Sequence, residues 1–446
     1  MQHAGITKVD TEFAGPFCYR RFDDRYLLTN DFGQWHFVAK ADFKSFVEGS
    51  MDTASEAYAS LKKKGFIHGE IELEETLRSM RKRYAFLQEG PSRHTLGLTS
   101  IDGSGNMDRS VGERAIDMAF ISTAQCLEFV FAGGRGNFNW DVLTGLTDFA
   151  KNKNRLARKE VRLVLRGDLS GLTEEQIEWL LTQDFQFEAD ADQATLSGEV
   201  TGLTKTVTQL NEALAAKDRD DRVHIRISPS EDTMKLGAKV VDSVKAVGSS
   251  TFAVLTSCEG EPSPDTTSFG TFYGAVLAKA LENNSAETPL TETTAAEFLT
   301  RIISGCEASP SETRSPGTDG IGELAYGWEG TVYSSNEGRF VGEAGDEIFA
   351  LGNVNYNGYH DLMTHPTIRA LVLASVGDGQ PGYSSWVYKP FCGPRPSKNY
   401  IDQGSVQGRA ADSKNFLNNQ VILDSLFTLL GGAKSELVRL EAWTLA

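Results

Sequence analysis

The sequence predicts an α/β protein whose main body is a parallel sheet curled into a partial (β/α) barrel. Short apolar strands ending in Gly or a polar residue alternate with helical stretches between residues 91 and 285, the pattern of parallel βα units. A length of 446 residues with 40% hydrophobic content supports more than one core. The opening residues follow a different rhythm, a hairpin and then helices. Three regions result: 1–90, 91–285 and 286–446.

In the first region RYLLTN and WHFVAK read as strands around a turn at Asp31–Gly33. Asp42 is the expected cap of the helix in FKSFVEG. Thr53 and Glu56 form a plausible capping box for TASEAYASLKKKG, which Gly65 stops. A small winged-helix-like domain suits this order and can recognise a peptide or contact a protein. Phe43, Phe46, Tyr58 and Leu61 are its candidate contact or core residues. Arg78, Arg81, Lys82 and Arg83 form a basic run, read first as the solvated end of a helix.

The second region places helices at VGERAIDMAFIST, WDVLTGLTDFAKNK, LTEEQIEWLLTQ, TVTQLNEALAA and TMKLGAKVVDSVKAVG. Strands are expected at CLEFVFAG, VRLVLRG, FQFEA, VHIRIS and TFAVLTS, and Thr173 with Gln176 is a second potential capping box. Strand C-terminal ends are where such an architecture builds a pocket. The third region offers the helix AAEFLTRIISG, a hairpin with its turn at Glu329–Gly330, an irregular Gly/Pro/Ser-rich stretch from Gly377 to Ala411, and a terminal helix NNQVILDSLFTLLG stopped by Gly431–Gly432.

The chemistry is sparse. Cys18, Cys126, Cys258, Cys306 and Cys392 lie far apart, so the short cysteine motifs that hold zinc or iron–sulfur clusters are missing. The odd count without local pairs fits a reducing compartment. No basic-then-apolar start and no 18-residue apolar run occur, which points to a cytoplasmic protein without membrane insertion. A net charge of −17 argues against nucleic acid. His360 and His365 are five apart, a poor spacing for two ligands on one helix. The glycine turn in FVFAGGRGNFNWD permits close backbone approach, and Arg135 there can bind a carboxylate or phosphate. Read locally it is first of all a tight turn, and it lacks the GxGxxG spacing.

Several segments carry a resemblance. GPFCYRRFDDRYLLTNDFGQWHF, YASLKKKGFI, RSMRKRYAFLQEGPSRHTLGLTS, MDRSVGERAIDMAF, EFVFAGGRGNFN, AYGWEGTVYSSNEGRF, AGDEIFALGNV and YKPFCGPRPSKNY, in this order, resemble the His-Xaa-Ser system radical SAM peptide maturases across almost the whole chain. The resemblance implies a barrel of radical SAM type behind a small peptide-recognition-like module, followed by a SPASM-like C-terminal region. Family members hold an iron–sulfur cluster on a CxxxCxxC loop after the first barrel strand. Here HTLGLTS runs almost directly into IDGSGNMDRSVGERA, without that loop. The family's GGEP turn becomes Gly133, Gly134, Arg135 and Gly136, which reverses the charge facing the cofactor's amino group. Tyr383 and Trp386 stand where a C-x-x-C pair is expected, Cys392 remains, and Leu417 replaces a further cysteine.

These departures describe a degenerate member with vestigial cofactor positions and no catalytic residue, metal site or cofactor. Apolar packing of Tyr383 and Trp386, worth on the order of 2 kcal/mol each, is expected to stand in for metal crosslinks. The leading expectation is a noncatalytic accessory subunit that binds a precursor peptide, an active maturase, or both. A small-molecule enzyme using the barrel mouth, with the 133–136 turn as an anion clamp, and a purely structural assembly component are the alternatives.

Overall fold

The computed structural model describes residues 9–133, 138–198, 201–217, 219, 223–285, 288–305, 314, 316–432 and 440–444. Its first region holds three antiparallel strands, β1 (Cys18–Phe22), β2 (Arg25–Thr29) and β3 (Trp35–Ala39), with β2 in the middle. The expected hairpin is β2–β3, pairing Arg25 with Ala39 through Thr29 with Trp35. The strand β1 carries no alternation strong enough to be read from sequence.

The helices that follow begin elsewhere than expected. Lys40–Val47 starts before Asp42, which lies in its first turn instead of capping it. Glu56–Lys63 is capped by Ser55, which accepts from the Tyr58 amide, so Thr53 has no capping role. Gly65 ends that segment at a φ of +72°, a conformation that favours glycine.

The sheet alternates its loyalties along β2. Tyr26 and Leu28 face a core of their own with Phe43, Phe46, Leu61 and Phe66, whereas Leu27 and Cys18 face the main body. Thr29 donates to the Val387 carbonyl at 2.5 Å, Trp35 Nε1 to the Ile302 carbonyl at 3.1 Å, and Arg20 meets Asp424 at 2.6 Å.

The main body is a 10-stranded sheet. Seven consecutive strands run parallel: β4 (Arg93–Gly97), β5 (Cys126–Ala132), β6 (Glu160–Gly167), β7 (Phe185–Ala191), β8 (His224–Ile227), β9 (Thr251–Val254) and β10 (Thr291–Glu292). On the other side of β4 lies β11 (Glu323–Tyr326), parallel to it, then antiparallel β12 (Thr331–Tyr333) and β13 (Ala350–Asn353). The β11–β12 hairpin turns at Glu329–Gly330, as its sequence predicts. Helices such as Arg109–Ile121, Trp140–Ala157 and Glu174–Thr182 form the crossovers, and the Thr173–Gln176 capping box is present.

The sheet ends at β10 on one side and β13 on the other, so it stays open. It is nevertheless strongly curled. Arg93 on β4 and Glu188 on β7 are three strands apart and four residues out of register, about 20 Å across a flat sheet, yet their side chains meet at 3.2 Å. The sheet also continues past residue 285, because β10 to β13 all belong to it. The Gly/Pro/Ser-rich stretch is more ordered than its composition suggests, with a helix at Pro396–Gln403.

Candidate functional site

The C-terminal ends of the barrel strands are the place to look for chemistry. After β4 the chain makes a tight closed turn. Ser100 N donates to the Gly105 carbonyl and Met107 N to the Leu98 carbonyl. Asp102 accepts from the Ser100 and Ser104 hydroxyls at 2.6 and 2.7 Å. Glu343 reaches in from a later helix and accepts the Ile101 amide at 2.7 Å. Trp328 covers Gly105 so closely that an added Cβ would fall 2.5 Å from its ring. Asp108 then caps the next helix through the Ser110 amide. Only residues 98–108 separate strand from helix, and hydrogen bonds pin the backbone along them.

Beneath this turn the barrel interior is filled with paired charge. Arg166 meets Glu188 at 2.5 Å, and Arg93 bridges Glu128 and Glu188 at 3.0 and 3.2 Å. Arg226 meets Asp190 and Glu259, both at 2.6 Å. Lys398 is fully buried against Glu337 at 2.8 Å, and Arg339 lies against Glu343 at 2.8 Å. Burial alone would raise the Glu188 carboxyl, but Arg166, Arg93 and Arg226 outweigh it and hold the group well below the usual carboxylate range. Glu259 is held down to about 2, Arg226 and Arg166 prevailing over burial. Asp190 goes the other way: burial raises it, and Arg226 offsets this only in part. His224 is pushed down to about 4 by burial, so it is neutral at pH 7.

Among the paired charges what remains open is small, although a cleft of about 940 Å³ lies beside the loops after β8 and β9, among Ser230, Met234, Cys258, Pro264 and Phe272. A cavity of about 160 Å³ lies among Arg93, Arg166, Glu188, Arg226, Thr256 and Glu259. A second, of about 150 Å³, lies at the strand ends among Gly133, Gly167, Asp190, Asn336, Arg339 and Phe340. Pockets for organic ligands usually span about 300–1,000 Å³. The interior therefore works as a packing of the barrel by paired charges.

Of the sequence-predicted turn, Gly133 lines the second cavity, while Gly134, Arg135 and Gly136 lie outside the described residues. Tyr383, Trp386 and Cys392 do come together. The Tyr383 and Trp386 rings are 5.4 Å apart, Phe416 packs on Trp386 at 4.0 Å, and the Tyr383 hydroxyl donates to the Cys392 carbonyl. Trp386 Nε1 donates to Gln420 at 2.9 Å. Leu417 is half-buried one residue beyond Phe416. His360 is exposed, and His365 caps the helix Pro366–Ser375. The Arg/Glu network escaped the sequence because its members are spread over separate strands and loops.

Neither Gly133 nor the aromatic cluster offers ligands for a metal cluster. Among the described residues no group of three or more His, Cys, Asp or Glu side chains can hold a metal ion. Cys18, Cys126 and Cys258 are free, and burial raises their thiols. Cys306 lies outside the described residues. No helix among the described residues is long and apolar enough to cross a membrane.

No family model matches this chain, and no curated protein matches it in sequence. Solved structures do match in fold. Histidine-tagged anSMEcpe with bound AdoMet is 13% identical, with 79% of this chain and 98% of that chain covered and a TM-score of 0.56. Native anSMEcpe with bound AdoMet and Cp18Cys peptide is likewise 13% identical, with coverage of 76% and 97% and a TM-score of 0.57. Native anSMEcpe with bound AdoMet and Kp18Cys peptide is 12% identical, with coverage of 75% and 97% and a TM-score of 0.56. The chain thus shares the α/β fold of these structures, and its described residues hold no cluster of metal-ligating side chains.

Proposed function

We propose that this chain is a noncatalytic, cytoplasmic relative of the radical SAM/SPASM peptide maturases, of the His-Xaa-Ser system type. It acts as an accessory subunit that binds a precursor peptide, an active maturase, or both. The observation that carries the reading is the closed turn at residues 98–107, held by Glu343 and Trp328 where a cluster loop would emerge. The fit of AdoMet and a cluster fails on the donor set: the described cysteines are dispersed, and the guanidinium groups of Arg93, Arg166 and Arg226 are matched by carboxylates. The turn at 133–136 and the cluster of Tyr383, Trp386, Cys392 and Leu417 are read as remnants.

Recognition is assigned to residues 1–90. Strands β1 and β3 each pair only with β2 among the described residues, which leaves an edge that an extended peptide can join by backbone hydrogen bonds. Fold relatives have been captured with peptides, which supports the same class of partner here.

Two measurements test the reading. Anaerobic reconstitution with iron and sulfide should leave the chain without a cluster absorption band and without cleavage of S-adenosylmethionine; stoichiometric iron and sulfide with turnover would refute it. Hydrogen exchange with a candidate precursor peptide or an active maturase should protect β1 or β3. Protection confined to the barrel would favour a structural assembly component instead.

A further inference from the structure

The helix Leu73–Arg83 is out of keeping with the rest of the chain. Arg83 is its one buried residue, while Leu73 is 66% and Leu77 42% exposed. A helix of 11 residues is marginal in water without an apolar face packed on something. Its C-terminal end is anchored, because Arg83 donates to the Pro390 carbonyl and lies over the Phe391 ring. Thr76, Ser79 and Met80 are half-buried, and the other residues from Leu73 to Lys82 are exposed.

Its sequence, LEETLRSMRKR, is patterned for a partner helix. Leu73, Leu77 and Met80 follow a four-then-three spacing and fall within about 60° of each other around the axis. Glu74 and Arg81 are seven apart and share one flank of that stripe, about 20° from each other. Acidic residues occupy the first turn and basic residues the last. Neither Glu74 nor Arg81 forms an ion pair with any described residue.

We propose that this helix is a self-association surface, on which two copies of the chain pair antiparallel about a twofold axis near Leu77. Residues on the same flank face each other when helices pair antiparallel, so Glu74 of each copy meets Arg81 of the other. A parallel arrangement would lay this flank against the partner's other flank, so Glu74 and Arg81 would not meet. The twofold repeats each contact, as an isologous interface requires. Leu87, in the 3-10 turn Ala85–Gln88 after the helix, is 49% exposed as well. The helix is about 16 Å long, so the buried area falls below the roughly 1,600 Å² of a standard interface. The dimer is accordingly weak, and its association depends on concentration.

The test is sedimentation velocity on the full chain from about 1 to 300 µM. Wild type should shift from monomer toward dimer across this range. Leu77→Lys should stay monomeric. Glu74→Arg and Arg81→Glu should each weaken association roughly tenfold, since each places like charges opposite twice. The decisive arm is a mixture: the two single variants combined one-to-one should associate again, because every facing pair is then opposite in sign. The double variant E74R/R81E should also dimerise. Far-UV circular dichroism checks that each variant is folded. A wild-type monomer at every concentration overturns the proposal, as does a dimer that ignores the charge reversals or a mixture no better than its components.

Discussion

Glu188 illustrates how the interior is held at the level of single residues. Its carboxylate accepts from Arg166 and Arg93 and lies 3.9 Å from Arg226. Removing one partner of such a group leaves guanidinium charge uncompensated, which costs about 3–5 kcal/mol. Glu188→Gln should therefore lower stability by about that amount in urea denaturation, even though no ligand contact is lost. His94 makes a second prediction. It is fully buried, hydrogen-bonds the Tyr326 hydroxyl at 3.0 Å and the Pro91 carbonyl at 3.1 Å, and burial pushes it from 6.5 down to about 4. A depressed folded value means that the unfolded chain takes up the proton first. The contribution is present above pH 6.5, falls as pH drops from 6.5 toward 4, and is gone below that. The full loss is of order 3 kcal/mol. His94→Gln should make the stability–pH curve less steep across this window by the share of one group, because His36 and His224 are pushed down to about 4 by burial as well. An unchanged slope would mean that His94 is charged in the folded state. Neither residue was legible in advance, because a lone Glu or His in a strand looks the same whether it is paired or solvated.

At the scale of elements, the aromatic cluster around Trp386 joins the irregular segment to the helix Lys414–Leu430. Tyr383, Trp386 and Phe416 are in ring contact, and Tyr388 stacks on Phe427 at 5.4 Å. Trp386→Ala opens a cavity in a site that is 7% exposed, with an expected cost of about 3–5 kcal/mol. Gly377→Ala should also destabilise, by about 1–3 kcal/mol, because its Cβ would stand 1.8 Å from the Tyr383 ring. Both are read by thermal unfolding; a Trp386→Ala chain as stable as wild type would show that the segment is held by other contacts. Elements with strong local signals were legible: the Thr173–Gln176 capping box, the hairpins and the crossover helices. Boundaries set by competing caps were not, since Ser55 and Thr53 look alike until the backbone places one of them beside the Tyr58 amide.

For the whole molecule, the small N-terminal sheet and the body share a wall. Phe427 touches Trp35 and Phe37 on one side and Tyr388 and Phe391 on the other. Unfolding of the two parts should therefore be coupled. Tryptophan fluorescence and far-UV circular dichroism should give coincident urea transitions, and two separated midpoints would contradict this. Phe427→Ala should separate them. The alternation of strands and helices, the punctuation by glycine and the lack of short cysteine motifs are all written in neighbouring residues. Long-range packing instead sets the curl that brings Arg93 to Glu188, the joining of β10 to β13 to the sheet, the sealing of the turn after β4 by Glu343 and Trp328, and the exposure of Leu73 and Leu77. The reason is physical: burial and charge pairing are properties of groups far apart in the chain, and a residue's own neighbours carry no record of which strand will lie against it.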